Sequence, residues 1–499
     1  MSRLGLSFCL LVAGGVSGCM VGPDFQRPTL DPGAGYIAGQ EAAPKKAPVQ
    51  ALAYGADVPG RWWELFRNKP LDTLMQQAIS KNPDLDSARA ALKQANEAAL
   101  GAQGGLWPSV SLSSSATRTD TSGSSLVKTG TGIYTIYSVT PSASYSLDLF
   151  GGTRRSIEAA QATAEAQGFT AEATYLTVTS NLAKAIIQEA SLREQIQALN
   201  EVIASYKQLL GVLGNQVNVG TASRANLLQQ QAALAQAQAN LPAMQKALAQ
   251  QQNAIAALIG DFPSQYPAQP FRLSSLALPH KLPVSLPSAL VEQRPDIRAA
   301  EAALHRASAS IGVAQAAMLP QITLSASLPS TAAEIGSLFT AANTGWALAG
   351  SLAQPIFAGG KLLHSKRAAD AAYEEALANY RSVVLSAFKD VANAMKAIKH
   401  DNEALVAYAA AEKAASDSLN LARSLYTAGT SSYTEVLAAQ TTYQSARMNR
   451  AAAEADRYLD AVVLFQALGG GWWNRPDNLV ALANTDPSKT MPSVSRETK

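Results

Sequence analysis

Charge is scarce in this chain of 499 residues: Asp, Glu, Lys and Arg make up 15%, against about 25% in an average soluble protein. The formal net charge of +3 is small and scattered, which excludes nucleic acid as a partner. Aromatics are 6% and the mean hydropathy is −0.01, so the chain is neither disordered nor a helical membrane protein. Beyond the N-terminus no window holds 18 consecutive apolar residues, which removes spanning helices. Cysteine is limited to Cys9 and Cys19. The histidines, His280, His305, His364 and His400, share no metal-ligand spacing, and His305 and His364 read as solvated positions on helices. Gly359-Gly360-Lys361 opens a helix without the other residues of a phosphate loop, and the adjacent Glu374-Glu375 face differently around a helix. No serine elbow or HExxH is present, so neither a catalytic centre, a cofactor nor a metal site is expected.

At the N-terminus Arg3 precedes an apolar run from Leu4 to Val16, too short to span a membrane as a mature helix. It ends Val16-Ser17-Gly18-Cys19, which resembles the bacterial lipoprotein signal, with Cys19 acylated; an ordinary signal peptide with an incidental cysteine is the alternative. Cys9 lies in the removed segment, so no disulfide is possible. Met20 stands where an Asp commonly retains such lipoproteins at the inner membrane, which points outward. Prolines at 23, 28, 32, 44, 48 and 59 mark an extended strap.

The rest is an internal duplication. Asn82-Pro83-Asp84-Leu85 recurs 212 residues on as Arg294-Pro295-Asp296-Ile297, and Pro108, Val110 and Leu112 meet Pro320, Ile322 and Leu324 at the same shift. Gly220-Thr221 and Gly260 match Gly429-Thr430 and Gly469 at a shift of 209. Each copy reads helix, strand, strand, long helix, second helix. The expected helices cover about 71–106, 153–214 and 223–259, then 288–318, 361–426 and 432–468; the expected strands cover about 108–118, 133–149, 320–328 and 345–356. Leu192, Ile196, Leu199, Ile203, Tyr206, Leu210, Leu213 and Val217 keep strict heptad spacing, and Leu227, Leu234, Leu241, Leu248 and Ile255 recur every seven residues on the partner, which Pro242 is expected to kink.

The strands alternate: Ile322, Leu324, Ala326 and Leu328 are separated by Thr323, Ser325 and Ser327. Such strands match a membrane β-barrel wall. Four strands cannot close a barrel alone, so subunits must share one, and three copies give twelve strands. Residues 119–132 and 329–344 read as outside loops. The division expected is 1–18 signal peptide, 19–70 lipid anchor and strap, 71–261 repeat 1, 262–287 proline-rich linker, 288–471 repeat 2 and 472–499 polar tail.

Gly22-Pro23-Asp24-Phe25-Gln26-Arg27-Pro28 after Cys19, Trp62-Trp63, Arg294-Pro295-Asp296-Ile297, Ile311-Gly312-Val313-Ala314 and Ala428-Gly429-Thr430-Ser431-Ser432-Tyr433 together resemble the TolC-like outer membrane efflux lipoproteins, in order along the mature chain. The resemblance implies an α+β membrane protein: a homotrimer with a 12-stranded outer membrane barrel, four strands per protomer, continued by a coiled-coil periplasmic tunnel and a mixed equatorial belt. It implies an export duct for drugs and organic compounds, lipid-anchored in the cell outer membrane, working with a periplasmic adaptor and an inner membrane pump of the resistance-nodulation-division type. The adaptor would dock at the hairpin tips Val219-Gly220-Thr221-Ala222-Ser223 and Ala428-Gly429-Thr430-Ser431-Ser432. A gate is expected near Tyr433, Thr434 and Glu435. Ala438 and Thr441 stand where relatives carry an acidic residue and an arginine, which leaves Glu435 and Arg224 as a possible charge pair or as two solvated charges. A lipid-anchored coiled-coil surface protein explains the helices but not the strands, and a periplasmic hydrolase explains only the signal.

Overall fold

The computed structural model describes residues 20–29, 35–36, 50–120, 132–266 and 270–479. Cys19, the signal segment, most of the first outside loop and the C-terminal tail from 480 lie outside these residues.

Eight α-helices are described: α1 (Lys69–Lys81), α2 (Pro83–Gln103), α3 (Gly152–Asn218), α4 (Arg224–Leu258), α5 (Pro287–Gln293), α6 (Pro295–Ala316), α7 (Lys361–Thr427) and α8 (Tyr433–Ala467). The duplication is exact in length where the helices are longest. Both α3 and α7 have 67 residues, and both α4 and α8 have 35. A helix of 67 residues extends about 100 Å at the standard rise.

Two expected helices are each divided at a proline. Asn82 and Arg294 precede Pro83 and Pro295 and are held extended, at ψ 123° and 122°. The proline ring disfavours helical backbone in the residue before it, so the chain turns there and restarts with proline in its first turn. The Asn82 side chain caps α2 by accepting from the N–H groups of Asp84 and Leu85. Pro242, by contrast, does not end α4, which continues to Leu258.

Antiparallel packing arranges the helices four abreast. Towards the sheet, α3 packs between α2 and α6, with α7 beyond α6; towards the tips, α3 packs between α4 and α8, with α7 beyond α8. The heptad residues Leu199, Ile203, Tyr206 and Leu213 are buried as their spacing requires. Alanine fills much of the seam and permits close approach.

Seven strands are described: β1 (Ala51–Tyr54), β2 (Ser109–Asp120), β3 (Ile133–Leu147), β4 (Lys281–Val284), β5 (Gln321–Ser327), β6 (Ser330–Ala332) and β7 (Ala347–Ala353). The large sheet has the antiparallel order β2-β3-β5-β7, with β6 also on β3. The expected second outside loop therefore starts later than 329. β6 continues the register of β5 on β3 past Leu328-Pro329, and the Leu328 N–H still donates to Pro141 O at 3.0 Å. Register sorts the side chains into two faces. Val110, Leu112, Ile322, Leu324, Leu348 and Leu352 share one side; serine and threonine dominate the other, with Ser111 bonded to Ser142 and Ser115 to Ser138, each at 2.9 Å.

The strap and the inter-repeat linker meet at mid-length, where β1 pairs in parallel with β4. Trp62, Trp63, Phe66, Leu85, Leu182, Ile186 and Phe465 form the largest core there, and Trp62 stacks on Phe465 at 5.4 Å. Nearer the sheet, Arg155 is buried and binds the carbonyls of Val21 and Gly22 and the carboxylates of Asp24 and Glu158. This fixes the start of the strap beside the base of β3, where the Val21 N–H donates to Phe150 O at 3.1 Å. His305, expected to be solvated, is instead half-buried: Phe25 stacks on its ring at 4.5 Å and Glu158 lies 2.9 Å from Nε2.

Candidate functional site

The two hairpin tips reverse in the same way. Gly220 and Gly429 adopt φ of 78° and 73°, a left-handed conformation that glycine enters without a Cβ penalty. The following N–H groups, of Thr221 and Thr430, donate back to Gln216 O and Leu425 O at 2.8 and 3.0 Å. Their hydroxyls donate to the same carbonyls, each at 3.1 Å. Ser223 and Ser432 then cap α4 and α8 by accepting from the N–H groups of Asn226 and Glu435. Val219, Thr221, Ser223, Ala428, Thr430 and Ser432 are exposed, while Ala222 and Ser431 are half-buried.

After the turns the copies diverge. Arg224 and Tyr433 begin their helices at equivalent positions, 209 residues apart, yet Arg224 is exposed and Tyr433 is buried. The Tyr433 hydroxyl donates to Gln230 Oε1 on α4, and the Gln230 amide donates to Tyr206 O on α3 at 2.9 Å. The Tyr426 ring lies 5.7 Å from that of Tyr433, and its hydroxyl donates to Gln216 Oε1 at 2.9 Å. Higher up, Ser205 accepts from Arg423 and Gln440, and Arg447 pairs with Glu201 at 2.5 Å. These contacts tie the α7–α8 hairpin to the α3–α4 hairpin. Burial pushes the Tyr433 phenol well above the ordinary tyrosine range, and Arg447 holds Glu201 below that of a carboxylate.

The gate residues expected from sequence are not all brought together. Tyr433 joins the buried network, and Thr441 reaches the Tyr206 hydroxyl. Thr434, Ala438 and Thr441 form an exposed stripe along α8. Glu435 does not pair with Arg224 within the protomer: its carboxylate accepts from Ser431 at 2.6 Å and Ser432 at 3.2 Å, which lowers its pKa. The reason is local, since Glu435 is the third residue of a helix capped by Ser432 and lies in reach of its own turn. Gln216, Gln230 and Gln440 were missed, and Tyr206 was read only as a heptad residue, although a glutamine inside an apolar heptad seam is a signal for a buried polar tie.

The model of the outer membrane efflux protein family matches residues 74–261 and 286–470, the two repeats. The chain belongs to the outer membrane efflux protein family. The cation efflux system protein CusC of Escherichia coli O6:H1 is 28% identical over 471 residues, 94% of this chain and 98% of CusC. The toluene efflux pump outer membrane protein TtgF of Pseudomonas putida is 30% identical over 471 residues, 94% of this chain and 97% of TtgF. The solved outer-membrane channel OprN superposes with a TM-score of 0.82 at 27% identity, covering 91% of this chain and all of the OprN chain. The protein is thus an efflux channel of the outer membrane, a conduit and not an enzyme. In this channel the polar ties lie where the helical hairpins end.

Proposed function

We propose that three protomers assemble side by side, β2 of one beside β7 of the next, to close a 12-stranded barrel above a coiled-coil tunnel. The observation that carries this reading is the sheet itself: β2 and β7 are its outer strands, each paired on one side within the protomer. In lipid every unpaired backbone group costs several kcal/mol, so such edges require a partner. Large apolar side chains line one face and hydroxyls the other, the alternation of a wall between lipid and water.

The duct carries drugs and other organic compounds outward from an inner membrane pump of the resistance-nodulation-division type, through a periplasmic adaptor docked at the tips. The tips support this because they are largely exposed and are closed by the same backbone hydrogen bonds and left-handed glycine in both repeats. Relatives are named for the efflux of cations and of toluene and for the export of pyoverdine, so the family conduit serves unlike cargoes. Acylated Cys19 anchors each protomer; this reading is supported by the Arg155 clamp on Val21, Gly22 and Asp24, which holds Met20 against Gly151 just past the end of β3. Crosslinking in mild detergent tests the assembly: a threefold ladder is expected, and a monodisperse monomer with an intact β signal overturns it. Mass spectrometry of the mature N-terminus should find acyl chains on Cys19, and a free amine on a later residue removes the anchor.

A further inference from the structure

Charge is nearly absent from the sheet. Along β2, β3, β5, β6 and β7 the charged residues are Arg118 and Asp120 alone, both at the far end of β2. By register both fall on the side of Val110 and Leu112, not on the hydroxyl side. At the base of the sheet Asp148 continues the hydroxyl side of β3, but its charge is matched. Arg154 lies 3.1 Å from it, and the N–H groups of Thr153 and Arg154 at the start of α3 donate to it at 2.9 and 3.0 Å.

We infer that the barrel is a charge-blind exit, whose hydroxyl-lined lumen passes neutral, cationic and anionic small molecules alike, with any selection by charge made before the cargo reaches the sheet. The inference rests on the proposed trimeric duct, in which the hydroxyl face lines the lumen. A serine or threonine hydroxyl donates through its proton and accepts through its lone pairs, so it solvates either sign. A wall of fixed charge instead concentrates ions of the opposite sign and raises their encounter rates by about 10–10³. Among the described residues nothing on this face supplies such a field.

Cysteine labelling from the outside reads this wall even when the tips are closed. Ser325 on β5 is exposed on the hydroxyl face, and Leu324 beside it points to the apolar face. Ser325→Cys trimers in phosphatidylcholine vesicles should react with small cationic and anionic thiosulfonates in the same ratio as free cysteine does, within about threefold. A ratio displaced by about tenfold or more in either direction overturns the inference, since that is the effect of a charged wall. Leu324→Cys should react with neither reagent, and equal reactivity at 324 and 325 overturns the assignment of the lumen face. Current across a planar bilayer separates this inference from the reading beneath it. If Ser325→Cys reacts as expected and the protein carries no current, the duct fails while the uncharged wall stands.

Discussion

Tyr433 and Gln230 form a buried hydrogen bond between α8 and α4, although 203 residues separate them. Their copies do not repeat it, because Arg224 replaces the tyrosine in the first hairpin. One repeat therefore supplies the donor and the other the acceptor, and the tie sits just above the turns.

Replacing Tyr433 with Phe removes the donor and strands Gln230 Oε1 in a buried site. A buried acceptor left unsatisfied costs about 1–3 kcal/mol. The α7–α8 hairpin should loosen from α4, and open probability in planar bilayers should rise. Thr434→Val, one residue on and exposed, should change neither current nor stability. Equal currents from Tyr433→Phe and the parent protein would show that the bond does not restrain the tip.

Asp460 provides a pH dependence. Burial pushes its carboxyl up to about 8, aided by the hydrogen bond and charge of Asp401 on α7 and the charge of Asp456 one turn away. A folded-state value above the unfolded one means the native state keeps a proton that the unfolded chain has lost. The associated stability is fully present below the ordinary carboxylate value and is lost as pH rises through about 8. The thermal midpoint should therefore fall as pH rises from the ordinary carboxylate range to about 8 and level off above it, and Asp460→Asn should flatten that slope. Parallel curves for the two proteins would exclude Asp460 as the cause.

Periodic features of the sequence were the legible ones. The Asn82-Pro83 and Arg294-Pro295 matches located the two repeats, and the alternation from Ile322 to Leu328 located a strand with its two unlike faces. The same prolines also divide the first helix of each repeat, because a pre-proline residue disfavours helical backbone regardless of the surrounding apolar spacing. β6 was hidden because Pro329 interrupts the alternation while the neighbouring strand maintains the register. Gln230 within the apolar seam marks a buried polar tie, but its pairing with Tyr433 has no periodic trace, since the partners are joined by packing between repeats and not by spacing within either.

Glu172 and Arg475 form the most deeply buried ion pair among the described residues, with Arg475 Nη2 at 3.0 and 2.7 Å from the two carboxylate oxygens. The guanidinium also lies 3.6 Å from the Tyr175 ring centroid. Burial raises the Glu172 pKa and Arg475 opposes that shift. Arg475→Ala should cost about 3–5 kcal/mol, because it leaves a carboxylate buried without its partner. Removing both with Glu172→Leu and Arg475→Leu should cost less than the two single changes together. Additive losses in thermal unfolding would mean that the two side chains act independently.

The tips provide the test of docking. Ala222 and Ser431 occupy equivalent positions, 209 residues apart, each two residues beyond the turn glycine and half-buried against its own hairpin. The Ala222 N–H donates to Gln216 O at 3.2 Å beside that of Thr221, but a backbone bond of this kind is open to any residue except proline, so the turn does not need a small side chain there. A partner helix docked against the tip, as proposed, does need one. Ala222→Trp and Ser431→Trp should leave the trimer folded and inserted, with the left-handed glycines untouched. A clash worth about 1.4 kcal/mol weakens association tenfold, so adaptor recovered by co-purification and efflux of a fluorescent organic compound should fall together. Gly220→Val serves as the contrasting change, because it strains the φ of 78° and should lower the thermal midpoint as well. Normal efflux and undiminished adaptor recovery in both tryptophan variants would place docking elsewhere on the tunnel.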